Sequence, residues 1–318
     1  ALGFEKRMTE SVNVVTGKTV NVEIPMRETA VELEEVEVTA SVFKERDDVP
    51  VSLRSIGVDE IENSPGANRD ISKIIQNLPG IAAVPGQNRN DIIVRGGASS
   101  ESIFYLDGIE IPNINHFATQ GASGGTNGIL NADFIRELNF YSGAFPASKG
   151  NALSGVFDFR QIDGNKEATK FRGTVGASEI SLTADGPIGE NTTYIFSVRR
   201  SYLQFLFQAI GLPFLPTFND YQMKVRSRLG PKDEITFISL GAVDVNVLDT
   251  DIEEPDEYQR YLLGNLPESE QWNYSIGAVY KHFRDKGYQQ LILSRSMLFN
   301  RSYKYLNNIE DPNNLIQD

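Results

Sequence analysis

The chain has 318 residues, with 43 acidic against 30 basic side chains, a formal net charge of −13 that argues against a nucleic-acid partner, because a phosphate-binding face needs clustered Lys and Arg. It contains no cysteine, which excludes disulfides, thiolate metal sites and cysteine nucleophiles together. The two histidines, His116 and His282, lack metal-ligand spacing, and no run of about 18 apolar residues offers a transmembrane helix.

Phe4 to Met26 alternate like strands, most clearly where Val20, Val22 and Ile24 oppose Thr19, Asn21 and Glu23. Two or three strands cannot bury a core alone, so residues 1–28 read as the end of a β-sandwich whose earlier strands precede Ala1. Nothing at Ala1 has the basic, apolar and small-residue order of a signal peptide, and both ends look abrupt, so the chain is expected to be a fragment. Residues 29–48 turn acidic around the β-prone run Val36-Glu37-Val38-Thr39 and read as a linker carrying an extended segment.

Residues 49–164 mix helix and strand. Asn68 or Asp70 can cap a helix whose apolar residues Ile71, Ile74, Ile75 and Leu78 share one face, and Pro79-Gly80 stops it. A strand is expected at Ile92-Ile93-Val94, ending at Gly96-Gly97, then a hairpin from Ile103 to Ile111 turned by Asp107-Gly108, because Asp-Gly tolerates the positive φ angles of a tight turn. Asn131 can cap a single turn ahead of a strand from Glu137 to Tyr141.

In residues 165–318 helical periodicity vanishes and dyad alternation takes over, the signature of a membrane barrel. Tyr221, Met223 and Val225 oppose Gln222, Lys224, Arg226 and Arg228, and Trp272, Tyr274, Ile276, Ala278 and Tyr280 oppose Asn273, Ser275 and Lys281. Short polar turns at 186–191, 230–233 and 284–287 alternate with long connections at 201–219 and 244–270, as brief inner turns and extended outer loops would. The first long connection is unexpectedly apolar, with Phe205, Leu206, Phe207 and Ile210, and is expected to pack on a partner or cap the barrel. Six or seven strands can be counted, too few to close a barrel of about 22 strands.

Asn77 to Phe117 and Ile129 to Phe159 together resemble the plug domain of TonB-dependent receptors. Several elements recur in order: the helix stop Leu78 to Gly80, the strand into Val94-Arg95-Gly96, the Leu106-Asp107-Gly108 hairpin and the closing strand at Ser154 to Val156. The resemblance implies a mixed α+β plug followed by the first strands of an antiparallel transmembrane β-barrel, in the cell outer membrane, with plug and N-terminal segments on the periplasmic side. Residues 1–26 resemble the end of the carboxypeptidase-regulatory-like domain that precedes the plug in many Bacteroidetes members. Glycan importers of the SusC type are a poorer match, because their long plug insertion is missing here.

The implied function is TonB-dependent import of a scarce ligand of the siderophore, cobalamin, glycan or peptide class, with a plugged, non-importing receptor or structural component of an outer-membrane complex as the alternative. Glu35, Val36, Glu37, Val38 and Thr39 resemble the segment that meets a TonB-type energy-coupling protein, by adding a strand to its sheet. Outer-membrane lipid and a surface lipoprotein are the other expected partners. Arg95, Asp107 and Glu137 on the plug, with Arg199 and Arg200 on the barrel, are expected to form releasable ion-pair latches, since charges desolvated in a lumen must be paired. Asn113, Asn115, His116 and Gln120 at the plug apex are expected to hydrogen-bond a small polar ligand. No nucleophile stands beside a base and no phosphate loop is present, so no enzymatic activity, metal or cofactor is expected.

Overall fold

A computed structural model of the chain describes residues 53–57, 70–83, 89–118, 125–176 and 178–318, all within one compact unit, residues 48–318. The expected sandwich remnant, the linker with Glu35 to Thr39, and Gln120 lie outside the described residues.

The N-terminal part begins with β1 (Leu53–Gly57) and helix α1 (Ile71–Gln76). Asp70 is the N-cap, its carboxylate accepting from the Ser72 amide at 2.9 Å, and Ile71, Ile74, Ile75 and Leu78 are all buried as their spacing requires. Two short strands, β2 (Ile81–Ala82) and β3 (Ile93–Val94), pair beside the helix, and β4 (Ile103–Leu106) and β5 (Ile109–Ile111) form the hairpin. Asp107 and Gly108 turn it with φ angles of 47° and 96°, both positive as a tight two-residue hairpin demands. Asn131 caps a single 3-10 turn and leads into β6 (Ile135–Tyr141), followed by β7 (Val156–Gln161). The main sheet runs β1-β6-β7-β4-β5, with β4 and β7 parallel. Phe140, Phe157 and Phe104 stack across three of its strands, with ring centroids 4.7 and 5.4 Å apart.

The rest is a wall of antiparallel strands: β8 (Lys170–Val175), β9 (Glu179–Pro187), β10 (Thr192–Ser201), β11 (Phe214–Arg228), β12 (Asp233–Leu248), β13 (Glu268–Arg284), β14 (Gly287–Tyr305) and β15 (Leu315–Gln317). Neighbours in sequence pair in order, an eight-stranded sheet that does not close on itself. The short turns stand where the sequence puts them, but both long connections are shorter than expected. Helix α2 (Leu203–Ala209) occupies the first and helix α3 (Glu257–Asn265) the second, while Phe214, Phe218 and Asp244 belong to strands. Strand pairing continues past the length that crosses a bilayer, about ten residues, because β11 to β14 run for 15 to 19.

Strands β10 to β13 alternate as membrane strands should, with Phe237, Val243, Trp272 and Ile276 exposed on one face. Trp272 lies at the long-connection end, stacked 5.8 Å from Phe299, and Tyr288 and Phe283 meet at the short-turn end. The opposite face is buried against the N-terminal part and carries Asp220, Gln222, Lys224, Asp244, Asn273 and Ser275. It is not uniformly polar. Ile238, Leu240, Ala242 and Val279 join the apolar core of the N-terminal part, so one core spans both.

Candidate functional site

The seam between the N-terminal part and the wall gathers most of the buried charge, and β11 organises it. Its inward residues, two apart, are Phe218, Asp220, Gln222, Lys224 and Arg226: ring, anion, amide and two cations in a file from the long-connection end to the short-turn end. Period-2 geometry requires this, because alternate side chains of a strand share a face.

At the short-turn end Lys224 Nζ lies 3.1 Å from Asp107 and 3.0 Å from Asp163, and donates to the carbonyls of Gln161 and Ile162 at 3.2 Å each. Arg226 binds Asp163 and pairs with Glu234 at 2.6 Å. Burial alone would raise the Asp163 carboxyl, but Lys224 and Arg226 outweigh it and hold the group below the ordinary carboxylate range. In the middle, Gln222 accepts from the Asn131 amide at 2.9 Å and donates to Gln161 at 2.7 Å, while the Asn131 side chain donates to Ser197.

Toward the long-connection end the loop carrying His116 folds down onto the wall. The imidazole is fully buried, with Nδ1 2.6 Å from Asp244 and Nε2 3.0 Å from Asp220, and its ring stacks on Phe218 at 4.1 Å. Asp244 also accepts from the Phe117 amide at 2.8 Å. Arg199 donates to Asp220 at 3.0 Å and to the carbonyls of Gly128 (2.8 Å) and Ile129 (2.6 Å), tying β10 to the same loop.

The expected latch residues are only partly brought together. Asp107 and Arg199 stand in the seam, but with Lys224 and Asp220 as partners. Arg200 faces away from it, donating to Asn219 at 2.8 Å, because adjacent strand residues point to opposite faces and Arg199 holds the inward place. Glu137 sits in the N-terminal sheet opposite Gly57 and Arg160, with no ion pair to Arg199 or Arg200 among the described residues. Arg95 is an exposed turn residue with φ of 50°, bound to Ser142 within the N-terminal part.

The structure places the expected apex residues inside. Asn113, Asn115 and His116 are buried rather than displayed to a ligand: Asn113 donates to the Asn115 carbonyl, Asn115 accepts from Ser72 of α1, and His116 is held by the wall. Asp220, Asp244 and Asp163 were not singled out in the sequence. Extending the Gln222/Lys224 parity back by one step reaches Asp220, whereas Asp244 was hidden by reading it as loop. A cleft of about 340 Å³ opens along the seam, lined by Asp70, Lys73, Asn131, Asp133, Glu179 and Arg199.

Residues 45–156 match the family model of the TonB-dependent receptor plug domain. The fold is similar to part of solved outer-membrane receptors and transporters. A variant of the ferric enterobactin receptor PfeA from Pseudomonas aeruginosa, in complex with enterobactin, is 19% identical with a TM-score of 0.59 over 84% of this chain and 45% of its own. The siderophore receptor PirA from Acinetobacter baumannii is 16% identical (TM-score 0.59, 82% and 43%), and the outer membrane transporter YddB from Escherichia coli 12% (TM-score 0.52, 80% and 39%). The chain thus spans less than half the length of these structures. No curated protein matches it in sequence.

Proposed function

We propose that the protein imports a scarce ligand across the outer membrane, driven by a TonB-type energy-coupling protein in the periplasm, and that its ligand is of the siderophore class. The plug-domain match, with that domain seated on the buried polar face of a barrel-type wall, carries this reading. The likeness to receptors for ferric enterobactin and other siderophores favours that ligand class over cobalamin, glycan or peptide. Residues 1–28 would be the end of a preceding β-sandwich, 29–48 the linker, 49–164 the plug and 165–318 the first strands of a barrel of about 22. The short turns would face the periplasm.

Mechanically, the outer membrane holds no ATP, so work must arrive by contact. A strand formed from Glu35 to Thr39 on the coupling protein's sheet edge would transmit a pull through main-chain hydrogen bonds. The pull would reach β1 first, an edge strand of five residues with only Ile56 buried. The seam would then part at ion pairs and hydrogen bonds, which re-form on return because water can solvate each partner in turn.

The test is uptake in cells carrying the full-length gene. Val36→Pro and Val38→Pro remove strand-forming capacity and are expected to abolish ferric-siderophore uptake while binding at the cell surface persists. Unchanged uptake in both would refute coupling through this segment; binding without uptake even in the unmodified protein would indicate a non-importing receptor.

A further inference from the structure

His116 contacts two carboxylates through both ring nitrogens, 2.6 Å to Asp244 Oδ1 and 3.0 Å to Asp220 Oδ2. Ionised carboxylates only accept, and a neutral imidazole offers one N–H, so both contacts are hydrogen bonds only if the ring carries two protons. Protonating a carboxyl instead is disfavoured, because each already accepts through its other oxygen, Asp220 from Arg199 and Asp244 from the Phe117 amide.

We propose that His116 is a standing imidazolium whose second proton fastens the plug apex to the barrel wall, and that alkaline pH unfastens the apex by removing that proton. The surrounding charges support this. Asp220 on β11 and Asp244 on β12 face the ring, Arg199 on β10 backs Asp220, and Glu179 on β9 and Asp70 at the start of α1 lie beyond Arg199. Gln271, opposite Asp244 on β13, and the stacked Phe218 are neutral. Two cations therefore meet two anions at the centre, and losing the proton leaves an uncompensated carboxylate with water excluded.

Burial alone would lower the His116 pKa, but Asp244 and Asp220 outweigh it and hold it above the ordinary 6.5. A group raised on docking stabilises the docked state fully below its free value, and that contribution is lost as pH rises through the raised one. The latched-to-released ratio should thus fall about tenfold per pH unit between the two values and then level off. The proposal rests on the transporter reading for its consequence, but protonation and apex motion are measured without transport, so a latch in a protein that does not import would still be seen.

The full-length protein in lipid nanodiscs has two measurements. With ¹⁵N-histidine and every other histidine of the full-length protein, His282 included, replaced by Gln, the His116 signal stands alone, and both ring nitrogens are expected to be protonated at neutral pH. A nitroxide on Thr126→Cys, in a chain without other cysteine over residues 1–318, is expected to be immobile at neutral pH and to loosen over the same alkaline range in which the ring nitrogens lose their second proton. His116→Gln, which keeps one donor but cannot titrate, is expected to loosen the label at every pH. A neutral ring at pH 7, a label that stays immobile after the ring has lost its second proton, or an unchanged pH profile in His116→Gln would overturn the proposal. Should His116→Gln not assemble, the nitrogen titration alone decides.

Discussion

Replacing Lys224 by Met keeps the stem and removes the ammonium that joins wall to plug. Four contacts disappear at once: Asp107 at 3.1 Å, Asp163 at 3.0 Å and the carbonyls of Gln161 and Ile162 at 3.2 Å. Removing one partner from a buried ion pair costs about 3–5 kcal/mol, since the other charge stays buried and unpaired. Here both carboxylates keep some company. Asp107 still accepts from the Gln161 amide and side chain, and Asp163 keeps Arg226, so the lower end applies, about 3 kcal/mol. At about 1.4 kcal/mol per decade, hydrogen exchange of the Gln161 and Ile162 amides in the full-length protein should speed up about a hundredfold. Adding Asp163→Asn should recover part of the loss, because it removes the charge left behind. A change under about threefold in Lys224→Met would show that water, not the lysine, satisfies these carboxylates, and would refute the view of β11 as the seam's organising strand.

Lowering the pH should loosen the same end of the seam. Asp163 is held below the ordinary carboxylate range, so its contribution is present above the unfolded value and lost as pH falls through the folded one; Asp163→Asn should flatten that acid limb in the same exchange experiment. Gly164→Ala should block seating of the plug, because a Cβ there would lie 2.2 Å from the Tyr194 carbonyl oxygen, a backbone atom that cannot turn aside; loss of the folded, heat-modifiable band on electrophoresis would report it, and a normal band would contradict it. Asp70→Ala should destabilise by more than the roughly 1 kcal/mol of an ordinary cap, since the carboxylate also accepts from Asn90 at 3.0 Å and Gly128 at 3.1 Å; denaturant titration of plug protection would measure it.

Local signals carried much of the architecture. The cap at Asp70, the buried face of α1, the Asp107-Gly108 turn and the two-residue period of β11 and β13 each depend on neighbours a few residues away, so the residues themselves specify them. The same period shows that Arg199 and Arg200 cannot both face inward. Which of them does, and what it meets, is another matter: Arg199 joins Asp220, 21 residues on, and the carbonyls of Gly128 and Ile129 about 70 residues back. His116 shows the limit most clearly. In the sequence it is a lone histidine in a glycine-containing polar stretch, and its polarity suits an exposed ligand contact. Only the folding of that loop onto β11 and β12 brings Asp220 and Asp244, 104 and 128 residues away, to its two nitrogens and buries a side chain that reads as displayed. Strand periodicity tells which residues share a face; the surface that covers that face is chosen by long-range packing, which no local pattern encodes.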